Sequence, residues 1–179
     1  MARQILSRAT GAICMLLLPA GAALADADLV SYPEGYQENF THFTTRNRAD
    51  ERKQVVKIFA NDVALASAKD GAPLDSGAVI VMEVYKAELD ADEQPVMGGD
   101  GFFVPAELAA ITVMETRTGW GADYPEEWRN DEWEYAAFTA DDHALVERDY
   151  QPCFACHKPL AEADYLFSFD ALKQAAGGS

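Results

Sequence analysis

Cys153-Phe154-Ala155-Cys156-His157 constrains this chain more than any other stretch. C-x-x-C-H is the pattern by which a chain holds a haem through two thioether bonds and ligates its iron with the adjacent histidine. A chain that carries it must fold a pocket around one large, flat group. Two cysteines separated by two residues on a turn of helix can reach one edge of a macrocycle while the next imidazole comes up beneath the metal. A structural zinc site would need four thiolate or imidazole ligands, and the mature chain has no second cysteine pair. A thioredoxin-like dithiol normally opens a helix after a strand in a βαβ unit, which the flanking sequence does not supply. A disulfide or dithiol stays open as the alternative to one covalent haem c.

The N-terminus agrees with export. Arg3 and Arg8 lead into an apolar run from Gly11 to Leu24 that closes with Ala23-Leu24-Ala25 before Asp26. That is the pattern of a secretory signal peptide over residues 1–25, cleaved after Ala25. The run is broken by Pro19 and falls short of the roughly 20 residues that span a bilayer, which argues against a retained anchor. The expectation is a periplasmic protein with no membrane segment after cleavage. Cleavage would also remove Cys14, leaving Cys153 and Cys156 as the mature cysteines.

Residues 26–179 suit a single domain with a sizeable core. The full chain has 14 basic and 30 acidic side chains. Without Arg3 and Arg8 the balance is 12 against 30, or −18. Such a surface repels nucleic acid and anionic lipid. It would steer a basic redox partner toward the protein, although solubility accounts for the same charge. A homodimer is among the assemblies left open.

Aromatic and β-branched content predicts a short strand over Phe40 to Thr45, then a charged turn from Arg46 to Arg52. Lys53 to Ala60 reads as a strand, and Asn61 is placed to cap a helix from Asp62 to about Lys69. Ala78 to Lys86 is apolar on both faces, as expected in the middle of a sheet. Ala109 to Thr116 and Glu132 to Thr139 give two more strands. Asp90-Ala91-Asp92-Glu93 lacks the glycine and final glutamate of a calcium loop and reads as solvated loop. Pro152 can open a short helix that carries the cysteines. A last helix from about Phe169 to Ala176 would be capped by Ser168 and ended by Gly177. The sum is an α+β domain: a mostly antiparallel sheet, a few flanking short helices and a haem-bearing helix near the C-terminus.

Four segments in this order resemble the cytochrome P-460 family. They are Ser31 to Tyr36; Phe59 to Leu65 running on to Gly77 to Glu83; Ile111 to Glu115 with Gly119-Trp120-Gly121; and Cys153 to Lys158 with Asp164 to Phe167. The resemblance implies an antiparallel sheet, one c-type haem, and a five-coordinate iron whose open face is enclosed by sheet side chains. It implies cofactor contacts from Cys153, Cys156, Met82 and Phe59, with His157 on the metal. In hydroxylamine-oxidising members a lysine just before a glutamate is bonded to the macrocycle; here that position is Met82, before Glu83. Those members also use a distal carboxylate. Its position falls near Ala110 to Thr112, so Glu115 is the nearest catalytic candidate, with a solvent-facing strand glutamate as the plainer account of it.

Function then turns on the sixth position of the iron. His42 and His143 are the other histidines, and Met82, Met97 and Met114 the mature methionines. Core packing is the ordinary role of a strand methionine, so the expected distal face is apolar. Such a face lacks a donor or base, and it suits a neutral diatomic such as nitric oxide better than demanding catalysis. Three readings stand: a cytochrome that binds or slowly converts a small gaseous or nitrogenous ligand, a hydroxylamine-oxidising enzyme, and an electron-transfer cytochrome.

Overall fold

The computed structural model describes residues 27–71 and 73–177. The expected signal peptide lies outside the described residues. Five strands form one antiparallel sheet in chain order: β1 (Thr41–Arg48), β2 (Gln54–Ala60), β3 (Val79–Ala87), β4 (Pro105–Thr116) and β5 (Trp133–Phe138). Four short helices accompany it: α1 (Tyr36–Asn39), α2 (Asp62–Ala68), α3 (Gln151–His157) and α4 (Phe169–Ala175). This is the expected α+β class, with the apolar strand β3 at its centre. Among the described residues no helix is long and apolar enough to cross a membrane.

The register divides the side chains cleanly between two faces, because successive residues of a strand point to opposite sides. Met82 lies opposite Ile58 on β2 and Thr112 on β4, and Thr112 lies opposite Ala137 on β5. Ile80, Met114 and Tyr135 form the next row on that same face. The other face carries Phe59, Val81, Glu83, Ile111 and Phe138. There the N-terminal segment packs, with Tyr36 edge-on to Phe59 at 5.5 Å and Tyr32 edge-on to Phe138 at 5.5 Å.

Local signals explain the elements that hold this sheet. Asn61 caps α2 by accepting from Ala64 N at 3.0 Å, and its Oδ1 also takes Val79 N at 3.1 Å, so one side chain fixes the helix start to the start of β3. Glycine is required at position 121, where φ is +72° and an added Cβ would lie 2.6 Å from the carbonyl oxygen of Asp131.

Three expectations are corrected. Arg46 to Arg48 belong to β1 and pair with Val56, Val55 and Gln54, where a charged turn was expected; an edge strand tolerates charge because its ladder needs only backbone groups. β4 starts at Pro105, four residues before the expected Ala109, and register shifts around Tyr85 accommodate the added length. Ser168 sits at the start of α4 without a side-chain cap; its carbonyl accepts from Leu172 N at 2.9 Å.

Candidate functional site

α3 runs Gln151-Pro152-Cys153-Phe154-Ala155-Cys156-His157, with proline in its first turn where the missing N–H costs nothing. Helical spacing puts Cys153, Cys156 and His157 at i, i+3 and i+4, on one face. Phe154 falls on another face, is 0% exposed, and lies edge-on to Tyr135 at 4.7 Å and to Tyr124 at 6.0 Å. Burying that ring contributes about 1.5–3 kcal/mol and sets the rotation of the helix. Asn130 adds a tether, donating from Nδ2 to the Phe154 carbonyl at 3.1 Å and to the Tyr135 hydroxyl at 2.8 Å. Tyr150, just before the helix, donates to the Val146 carbonyl at 2.7 Å and accepts from Ala137 N of β5 at 3.0 Å.

The motif face of α3 and the Met82 face of the sheet enclose a cavity of ≈ 560 Å³. That falls within the roughly 300–1,000 Å³ of small-molecule and cofactor sites. Cys153, Cys156 and His157 line it from the helix, and Ile58, Ile80, Met82, Thr112 and Met114 line it from the sheet. His157 Nδ1 lies 2.6 Å from the Tyr165 carbonyl oxygen, which can only accept, so Nδ1 carries the proton and Nε2 keeps its lone pair. Burial lowers the imidazole pKa and favours the neutral ring. This is the protonation and tautomer a metal-ligating histidine needs.

Asp164 and Tyr165 present that carbonyl, both in the left-handed region at φ +48° and +61°. For non-glycine residues such conformations cost on the order of 1–3 kcal/mol each and persist only where surroundings enforce them. Asp164 is 2% exposed, and its Oδ2 accepts from Leu74 N at 2.9 Å. The Trp133 side chain also donates to it. Burial pushes the Asp164 carboxyl up.

Basic side chains also line the cavity. Arg46, Arg48, Arg52 and Arg148 all line it, and Asp50, the carboxylate among the lining residues, is ion-paired with Arg52. Arg48 is partly buried and donates to Met82 Sδ at 3.3 Å; burial lowers its pKa, and Arg52 adds to the lowering. Arg46 donates to the Phe167 carbonyl at 3.0 Å.

These observations test the fit of a haem. Two free thiols, one neutral imidazole with its outer nitrogen available, apolar walls and guanidinium groups for the two carboxylates of the macrocycle suit it chemically. Burial raises the pKa of the Cys153 thiol, and Cys156 is exposed. Among the described residues no group of three or more His, Cys, Asp or Glu is placed to hold a metal ion by itself.

The cavity therefore brings together Cys153, Cys156, His157 and Met82. It does not include Phe59 or Glu115. Phe59 sits on the opposite face, against Tyr36 and the His42 ring. Glu115 is also on that face, 7% exposed and bonded to Arg117 Nε at 2.6 Å, so it is neither a pocket acid nor solvent-facing. His42 is exposed beside Thr45, and His143 stacks on Tyr32 at 4.0 Å. The expectation of a wall without donors fails at Arg48 and Thr112. The signal for Arg48 is its alternation with Arg46 along an edge strand, which in sequence alone resembles a charged turn.

Across the fold as a whole, a family model described as Cytochrome P460 matches residues 33–168. No curated protein matches the chain.

Proposed function

We propose, for a chain that belongs to the cytochrome P460 family, an exported mono-haem c-type cytochrome that binds or slowly converts a small nitrogen species such as nitric oxide. In this reading Cys153 and Cys156 hold the macrocycle through thioethers and His157 Nε2 ligates the iron. When bound, the haem supplies a redox centre and an acceptor for one small ligand.

One observation carries the reading. Among the residues lining the cavity His157 is the single imidazole, and the sheet side of the lining offers hydrocarbon, two thioethers, the hydroxyls of Thr112 and Tyr135 and the guanidinium groups of Arg46 and Arg48. Thr112 and Arg48 provide hydrogen-bond donors toward a ligand, and Ile58 and Ile80 exclude water. Among the described residues that line the cavity the one carboxylate, Asp50, is held by Arg52, and Glu115 lies behind the sheet, so the lining offers no unpaired carboxylate to remove a proton. That supports ligand binding over hydroxylamine oxidation, as does Met82 in the place of the linking lysine.

The two thioethers on the wall support a second reading, electron transfer through a six-coordinate iron. Met82 Sδ already accepts from Arg48, which favours Met114 in that role.

Optical spectra of protein matured with a haem-attachment system separate these readings. The proposal expects a high-spin, five-coordinate ferrous form that changes on adding nitric oxide, with no turnover of hydroxylamine. In the same protein Arg48→Leu should weaken an anionic ligand such as nitrite by about 10–100-fold, the worth of a hydrogen bond to a charged group. A low-spin resting spectrum that becomes high-spin in Met114→Ala or Met82→Ala would establish the second reading instead.

A further inference from the structure

We infer that Asp164 is the positioning residue of the iron-binding imidazole, acting through the backbone of Tyr165. The inference rests on the haem reading of His157. The carbonyl that accepts the His157 Nδ1 proton belongs to the second of two consecutive non-glycine residues in the left-handed region, Asp164 and Tyr165. A backbone of that shape needs to be held, and Asp164 supplies the hold. Its carboxylate reaches Leu74 N at 2.9 Å, 90 residues away in sequence, and the Trp133 side chain at the start of β5. The turn is closed beneath it by Tyr165 N donating to the Leu160 carbonyl at 2.8 Å and Leu166 N donating to that of Ala163 at 2.9 Å. One buried side chain thus joins the loop before β3, the start of β5 and the turn after α3.

The consequence for the metal follows from the hydrogen bond. A carbonyl that takes the Nδ1 proton firmly makes Nε2 a stronger donor and fixes the ring plane. With haem bound, a more strongly donating His157 would stabilise the oxidised iron and would resist replacement by an incoming ligand. Removing the hold lets the turn relax toward ordinary φ values and swings the Tyr165 carbonyl off the Nδ1 axis. Asp164 is not among the residues that line the cavity, and its partners are Leu74 N and the Trp133 side chain, so its influence reaches the imidazole through the turn.

The test compares wild type, Asp164→Asn and Asp164→Gly in protein matured with a haem-attachment system. Glycine accepts the left-handed backbone but lacks the tie, so the variant can fold; asparagine keeps an oxygen for Leu74 N. Mass spectrometry first establishes that haem is attached. The iron–histidine stretching frequency of the ferrous form, the midpoint potential and the rate at which nitric oxide displaces the histidine are then measured. Asp164→Gly should lower the frequency, raise the potential and speed displacement several-fold, and Asp164→Asn should restore most of each. Unchanged values in Asp164→Gly with haem attached would overturn the inference. Wild-type protein lacking haem would instead defeat the functional reading. The Nδ1 proton of His157, followed by nitrogen-15 NMR, then decides the positioning claim: faster exchange in Asp164→Gly supports it, and unchanged exchange overturns it.

Discussion

At the scale of single residues, buried polar groups separate the two faces of the sheet by role. Behind β3, Glu83 is 2% exposed and accepts from Tyr36 at 2.8 Å, Gln37 at 2.9 Å and Tyr85 at 3.0 Å. Burial, with the Glu83 bond adding to it, pushes the Tyr85 hydroxyl up to about 12. A carboxylate this well satisfied is part of the scaffold. At Asp164 burial outweighs the two donors and raises the pKa. A raised carboxyl pKa means that folding favours the protonated form. Its contribution to stability is present below the ordinary carboxylate range, near pH 4, and is lost as pH rises through the folded value. Asp164→Asn should therefore become more stable relative to wild type as pH increases from about 4 to neutrality. Urea midpoints at each pH check this, and a constant difference would contradict it. The sequence marks Glu83 and Asp164 only as members of segments that resemble the family, and their burial and partners were not legible there.

At the scale of elements, α3 is seven residues long, too short to be stable alone. Its position comes from Phe154 against Tyr135 and from the Asn130 and Tyr150 tethers. Phe154→Ala should cost about 3–5 kcal/mol, the usual loss for a buried aromatic ring. Chemical denaturation measures the cost, and the yield of haem-attached protein should fall with it. A change under about 1 kcal/mol would mean that the ring does not hold the helix. The five strands and the helices α2, α3 and α4 are legible in the sequence in their chain order, because apolar runs and turn residues are local signals, whereas α1, a single turn, is not. β1 was cut short because charge at Arg46 and Arg48 resembles a turn until the partner strand is known.

For the whole molecule, charge is unevenly distributed. The chain carries a net charge of −16, yet four arginines line one cavity. Screening decides which is felt, since the Debye length falls from roughly 30 Å at 10 mM salt to roughly 10 Å at 100 mM. At low salt a cationic cobalt complex should oxidise the reduced protein faster than an anionic iron complex of similar potential. The advantage should shrink as salt is added, and at 100 mM Arg148→Glu should slow the anionic reagent several-fold. Stopped-flow rates test both. An anionic reagent that is fastest at the lowest salt would show that the arginines dominate at every distance.

The sequence by itself determined the five strand segments, the central place of β3, and the helix that carries two thiols and an imidazole on one face. Those depend on periodicity, caps and a five-residue motif, all of which act between near neighbours. Only the tertiary structure decided that Met82 faces the cavity while Phe59 and Glu115 do not, that Arg48 enters it, and which carbonyl faces His157. The reason is register. In a strand the choice of face turns on a single residue of alignment with its neighbours. The contacts that fix the turn after α3 join Asp164 to Leu74 and Arg46 to Phe167, 90 and 121 residues apart.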